Sequence, residues 1–265
     1  MNAPKLQCTR NYELSDAHEY NRPLRDDPYL ERSMRERGFM PSSPIHVIRG
    51  GDGKLKIVRG HKRFAYAKRL GLAVYYVLDD SASEPWDLEA GFGPHWSQRD
   101  YVYAHAQTGK PDYRQVLDFA DEHHLAMGVA VSLLGGQSDT SATNLKTRVR
   151  TGTFIVTDEA HAQDVGDLVE CLAESGIVFA RQSPFVIALS KCLRVAEFDA
   201  DSFTHKMRLH GHRLSKRSTV DDYVDEIEAA YNYAAKASLR LPLAIRVRQV
   251  MAERNPGARA RKGRL

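Results

Sequence analysis

The chain has 265 residues, of which 42% are hydrophobic and 27% charged, the balance of a soluble globular protein long enough for one or two domains with their own cores. No stretch approaches the ~18 apolar residues of a membrane helix, and residues 1–14 lack the apolar centre of a secretory signal, so the cytoplasm is the expected compartment and no membrane partner is expected. Three scattered cysteines, Cys8, Cys171 and Cys192, exclude a disulfide framework and a paired-cysteine zinc site.

In chain order, residues 8–20 suit one edge strand, broken by Asn21-Arg22-Pro23. Asp27 then stands as an N-cap with Pro28 at the first helical position. Leu30 and Met34 share a face and Gly38 lies just past the end, which predicts a short helix. Residues 44–48 read as a strand, Gly50-Gly51-Asp52-Gly53 as a hairpin turn and residues 55–58 as the returning strand. Gly60 ends that strand. Residues 61–70 form a helix with Phe64, Ala67 and Leu70 on one side, and Gly71 stops it before an apolar strand over 74–78. The result is a small α/β module over residues 1–80.

Residues 81–95, with two prolines and two glycines, read as a linker. Beyond them the pattern is helical: 97–107, 113–123, 127–134 and 141–149 within a region 96–156, then 159–174, 183–194 and a longest helix over 219–237 within a region 157–239. The fold class is α+β, a small α/β module followed by an all-helical region. Residues 127–149 have the outline of a helix-turn-helix, with a connection longer than the usual turn. Ser141, Asn144, Lys146, Arg148 and Arg150 supply the mix of polar and cationic side chains that base edges and phosphates require.

The formal charge of +4 is unevenly placed: from Arg240 onward eight basic residues face Glu253 alone, giving that end +7. A basic segment over 240–265, with Arg259, Arg261 and Lys262 in its last turn of sequence, suits nucleic acid; the other reading is a solvated tail. His205, His210 and His212 lack the carboxylate or cysteine that would complete a metal set. With Lys206, Arg208, Arg213, Lys216 and Arg217 they read as a basic patch. His123-His124 reads as surface histidines, Trp86 and Trp96 as packing anchors, and no metal site is expected.

The segment Ile57-Val58-Arg59-Gly60-His61-Lys62-Arg63-Phe64 runs from a strand through a glycine directly into a helix. The first N–H groups of a helix have no partner and its dipole is positive there, so an anion is a natural ligand. Arg59, Lys62 and Arg63 add three cations. The alternative is an ordinary solvated helix start.

With the upstream Asn21-Arg22-Pro23, the run Gly38-Phe39-Met40-Pro41-Ser42-Ser43-Pro44-Ile45-His46-Val47 followed by Arg59-Gly60-His61-Lys62-Arg63 resembles the N-terminal domain of ParB chromosome-partition proteins and their phage and plasmid relatives, within the ParB/sulfiredoxin fold. The resemblance covers about a quarter of the chain. It implies a nucleotide pocket, with Gly38, Ser43 and Pro44 near base and ribose and with Arg59, Gly60, His61, Lys62 and Arg63 around the phosphates of CTP or ATP carrying Mg²⁺. In that comparison Arg63 and Lys62 stand for the family's two arginines, and His61 replaces its glutamate. Trp96-Ser97-Gln98-Arg99-Asp100 shadows a third motif but lacks its metal-associated acid, and looks more like the phage relatives. Sulfiredoxin chemistry needs a cysteine where His61 stands. Free serine kinases share the fold and use a glutamate, for which Glu31 or Glu36 would be candidates, although both read as ion-pair partners of nearby arginines.

The leading expectation is therefore a ParB-like DNA-binding protein whose N-terminal module binds nucleotide or DNA phosphates, with DNA, a nucleotide and a second copy of the chain as partners. The alternative is an enzyme on the same fold, a metal-dependent nuclease or a small-molecule phosphotransferase, with His61 and Glu31 as catalytic candidates. A third reading is an adaptor whose helical half binds a protein. Because no acid stands in register with the family's glutamate, slow or no hydrolysis is expected.

Overall fold

The computed structural model describes residues 5–17, 24, 26–50, 53–79, 96–136 and 142–254. The chain divides into two compact units, Met1–Thr108 and Gly109–Leu265. The architecture is α+β: a mixed five-stranded sheet with helices, followed by helices alone. Among the described residues no helix is long and apolar enough to cross a membrane.

In the first unit the sheet order is β1 (Leu6–Thr9), β5 (Val74–Leu78), β3 (Ile45–Arg49), β4 (Leu55–Arg59), β2 (Ser15–Ala17). β3 and β4 form the expected antiparallel hairpin, closed by Gly50 N–H donating to Lys54 O at 2.8 Å. β5 lies parallel to β3. Alternation sends Ile45, Val47, Leu55, Ile57 and Tyr76 into one core with Met34 of α1 (Pro28–Arg37) and with Tyr66 and Ala67 of α2 (His61–Leu70). The Asp27 carboxylate caps α1 by accepting from Leu30 N–H at 3.2 Å. Its backbone N–H donates to Tyr66 Oη at 2.7 Å, tying α1 to α2. Near the end of this unit, α3 (Gln98–Gln107) opens on a capping box in which the Asp100 carboxylate accepts from Ser97 N–H at 2.8 Å.

One expectation is corrected here. Residues 8–20 do not make a single edge strand; β1 and β2 are separate and lie on opposite edges. Asn11 offers its side-chain oxygen to Glu13 N–H at 3.1 Å and starts a 3-10 turn over Tyr12–Leu14, the local competition typical of Asn. Tyr12 then donates its hydroxyl to Leu72 O at 2.9 Å and meets Phe64 edge-on, which carries the chain from one edge to the other.

The second unit contains α4 (Pro111–Glu122), α5 (Met127–Leu134), α6 (Ala142–Arg150), α7 (Glu159–Glu174), α8 (Ser183–Leu193), α9 (Ala200–His210), α10 (Val220–Tyr231) and α11 (Leu243–Arg254). Val165, Leu172, Phe185, Leu189, Tyr223 and Ile227 are buried at its centre. Four features differ from the sequence reading. Among the described residues the longest helix is α7, at 16 residues. α10 stops at Tyr231, because Asn232 binds both the N–H and the carbonyl of Leu241 at 2.8 Å and Ala234 turns left-handed at φ 58°. The basic patch around His205 is the end of a helix anchored by Phe203 and Met207, and the basic end of the chain begins as a helix anchored by Leu243 and Val247. Lastly, His123 is no surface residue: it is fully buried, its ring Nδ1 bound to Glu170 Oε1 at 3.0 Å, while His124 is exposed. Gly166 makes the room, since a Cβ there would lie 2.6 Å from His123 Nε2.

Candidate functional site

The junction of β4 and α2 is built around Gly60. Its φ of 93° is left-handed, and a Cβ would stand 2.7 Å from Ile45 Cγ2, so only glycine fits. The helix takes up directly, with Phe64 N–H donating to Gly60 O at 3.0 Å. The N–H groups ahead of Phe64 have no helical acceptor.

Arg63 reaches back from the first turn. Its Nη1 donates to the Ser43 carbonyl, to Ser43 Oγ at 2.8 Å and to Pro44 O at 3.0 Å. The guanidinium thereby pins the loop between α1 and β3 to the start of α2. Its Nη2 lies 3.2 Å from where a Gly60 Cβ would be, so one edge of the fork faces the helix start. The half-buried Arg63 is therefore a loop clamp as well as a charge. Lys62 pairs with Asp27 at 3.4 Å, both side chains being over a third exposed. Gly38 ends α1 at φ 75° with open space around it.

His61 donates Nε2–H to Ile57 O at 2.6 Å. A carbonyl can only accept, so Nε2 carries the proton and the ring is tethered to β4. Glu31 is held by Arg35 at 3.1 Å and by Arg69 at 2.6 Å.

The register adds a residue that sequence reasoning passed over. His46 pairs with Arg59 while Val47 pairs with Ile57, so Val58 is one residue extra on β4. This bulge re-aims Arg59 at the site. Paired residues share a face, so His46 and Arg59 lie together. Burial, Arg59 and then Arg63 hold the His46 imidazole below its ordinary pKa, while Asp79 opposes them. Burial and the Arg59 charge likewise lower Arg63. The mutual repulsion of these groups marks a concentrated positive potential. Among the described residues no three metal-ligating side chains converge; what is present fits a phosphate through N–H groups and cations. Strand alternation alone would have put His46 on the face opposite Ile45 and Val47, but the bulge that sets it beside Arg59 is not written in the pattern.

In the second unit α6 presents Asn144, Lys146 and Arg150 at the surface, with Arg148 half-buried and with Leu145 and Val149 inward. Tyr113 of α4 holds its end: the hydroxyl lies 3.0 Å from Arg148 O and 3.2 Å from Val149 O and accepts from Phe154 N–H at 3.1 Å. Gly135 lets α5 approach, since a Cβ there would be 3.1 Å from Leu145 Cδ2. Ser141 and the turn at 137–140 lie outside the described residues, as do Asn21-Arg22-Pro23, Trp86, Arg259, Arg261 and Lys262. A serine–histidine pair, Ser190 Oγ and His161 Nε2 at 2.9 Å, has its serine fully buried and no access for a substrate.

No family model and no curated protein matches the chain. Among solved structures the chain is similar to the C-terminally truncated chromosome-partitioning protein ParB from Caulobacter crescentus complexed with CTP-gamma-S, at 16% identity over 62% of this chain and 92% of that one, with a TM-score of 0.29.

Proposed function

We propose that the first unit binds the phosphates of a nucleoside triphosphate or of DNA at the start of α2, and that the second unit binds DNA through α6. The observation that carries the first half is the convergence of Arg59, Arg63 and His46 on a helix start whose glycine keeps the backbone open. Like charges held together are destabilised in isolation, and an anion between them removes the repulsion. Gly60 lets the phosphate approach the N–H groups, Lys62 supplies a flexible further charge, and the Ser43–Pro44 loop pinned by Arg63 forms the wall beside it. For the second half, α6 exposes a polar and cationic face on a helix held rigidly by Tyr113. The test is calorimetry with a panel of CTP, ATP, GTP and UTP, with and without duplex DNA. Binding that Arg59→Ala abolishes supports the phosphate site, and unchanged affinity in that variant removes it.

A second reading, hydrolysis of the bound phosphate ester, has one observation behind it. Asp79 lies near enough to His46 to oppose part of the lowering of its pKa, so a carboxylate and an imidazole stand beside the cations. Phosphate release and plasmid nicking with Mg²⁺ and Mn²⁺, compared between wild type and Asp79→Asn, decide between binding and turnover.

A further inference from the structure

The stretch from His205 to Arg217 contains five lysines and arginines, three histidines and no acid. It spans the second half of α9, a 3-10 turn over Gly211–Arg213 and the lead into α10. Phe203, Met207 and Leu214 are its buried anchors, and their spacing leaves His205, Arg208, His212, Arg213 and Lys216 exposed. Cations in the last turn of a helix are ordinarily explained by the negative end of its dipole. That accounts for Lys206 and Arg208, but the effect fades within one turn, and Arg213, Lys216 and Arg217 lie beyond it.

Two of the cations are held in place on aromatic rings. Arg213 stacks 4.2 Å above the ring of Tyr233, and His210 meets the same ring edge-on at 5.0 Å. Lys206 donates to Tyr231 O and sits 5.2 Å from that ring. Arg217 is neutralised by Glu226 at 2.6 Å. Arg208 and Lys216 have no ion pair among the described residues. Lys206 and Arg213 are thus ordered before any partner arrives, while Arg208 and Lys216 are left to reach it.

We infer that this surface is a second contact for the phosphate backbone of duplex DNA, separate from α6. A run of sequence without an acid, whose exposed Arg208, Arg213 and Lys216 stand on one helix end and the segment after it, complements a regularly charged polyanion, and such contacts carry no base information. This contact rests on the reading of the chain as a DNA binder and uses residues other than those of α6.

The experiment measures affinity for a labelled duplex by fluorescence anisotropy from about 50 to 200 mM salt, where each phosphate contact contributes roughly −0.9 to the slope of log affinity against log salt. Arg208→Ala/Lys216→Ala should flatten the slope by about 1.8, and adding Arg213→Ala should bring the change to about 2.7. A control with the same charge loss at exposed positions, Arg10→Ala/Arg181→Ala, should leave the slope as in wild type. Lys146→Ala reports on α6 alone, so loss in one variant with retention in the other separates the two sites. A patch variant with the wild-type slope, a control that flattens it equally, or a wild-type chain without duplex affinity each overturns the inference.

Discussion

Gly60 and Ile45 stand so close that a Cβ on the glycine would be 2.7 Å from Ile45 Cγ2 and 3.2 Å from its Cα. Gly60→Ala therefore combines a left-handed backbone with a clash against the core, and should cost roughly 2–3 kcal/mol. Gly53→Ala, at φ 78° with open space around it, carries the backbone cost alone, about 1 kcal/mol. Denaturant midpoints of the two variants measure the difference, and equal losses would mean that the approach to Ile45 is relaxed at no cost.

Arg59 and Arg63 should separate binding from stability. Arg63 carries charge and also holds the carbonyls of Ser43 and Pro44. Arg63→Ala should lose phosphate affinity and also lower stability by about 0.5–1.5 kcal/mol, the net worth of hydrogen bonds whose acceptors water can reach. Arg59→Ala should lose affinity with stability nearly unchanged. Calorimetry read beside thermal unfolding shows both, and amide exchange at residues 43–46 should quicken in the Arg63 variant only.

His46 makes the site sensitive to pH. Burial, Arg59 and Arg63 hold its pKa below 6.5 in the native chain. As pH falls through the unfolded value, the unfolded chain takes up the proton first, so stability declines there and levels off once the native ring is also charged. A bound phosphate reverses the repulsion, so binding should draw a proton onto His46. Between about pH 5.5 and 8, the ratio of wild-type to His46→Gln affinity should rise as pH falls. Calorimetry in buffers of different ionisation enthalpy reads the proton uptake directly; a flat ratio with no uptake would contradict it.

Tyr113 joins α4 to the end of α6, and burial pushes its pKa up to about 12. Tyr113→Phe keeps the ring contact with Phe154 but leaves Phe154 N–H and a carbonyl of α6 unpaired. The expected loss is about 1–3 kcal/mol in unfolding free energy, together with faster amide exchange in α6.

Ending the chain after Arg254 removes Arg259, Arg261, Lys262 and Arg264 while keeping α11 whole. If all four touch phosphates, the salt slope should flatten by about 3.6 with stability unchanged. Identical slopes in the shortened and full chains would identify the segment as solvated.

The first unit was legible where punctuation is local. Asp27-Pro28 and Gly38 bound α1, Gly60 and Gly71 bound α2, and alternation about Gly50 marks the hairpin. α9 and α11 were missed because each is anchored by only two apolar residues four apart, Phe203 with Met207 and Leu243 with Val247, amid charges that read as surface. His123 was misread because its burial depends on Gly166, more than forty residues away. The same holds at the site: Gly60 to Arg63 announce a helix start, whereas the pairing of His46 with Arg59 depends on a bulge, and the grip of Arg63 on Ser43 on a loop whose path is tertiary.

Both outer strands of the sheet come from one short run, Leu6–Thr9 and Ser15–Ala17, with a 3-10 turn between them. Four strand spacings would set flat edges about 19 Å apart, whereas the six steps from Thr9 to Ser15, half of them in that turn, reach about 16 Å. The sheet must curl to be closed this way, and the segment acts as a strap across it. Cleavage near residue 17 would therefore bare β5 and β4 together, turning a capped sheet into one with two unpaired, sticky borders. A chain nicked there is therefore expected to aggregate under conditions in which the intact chain does not.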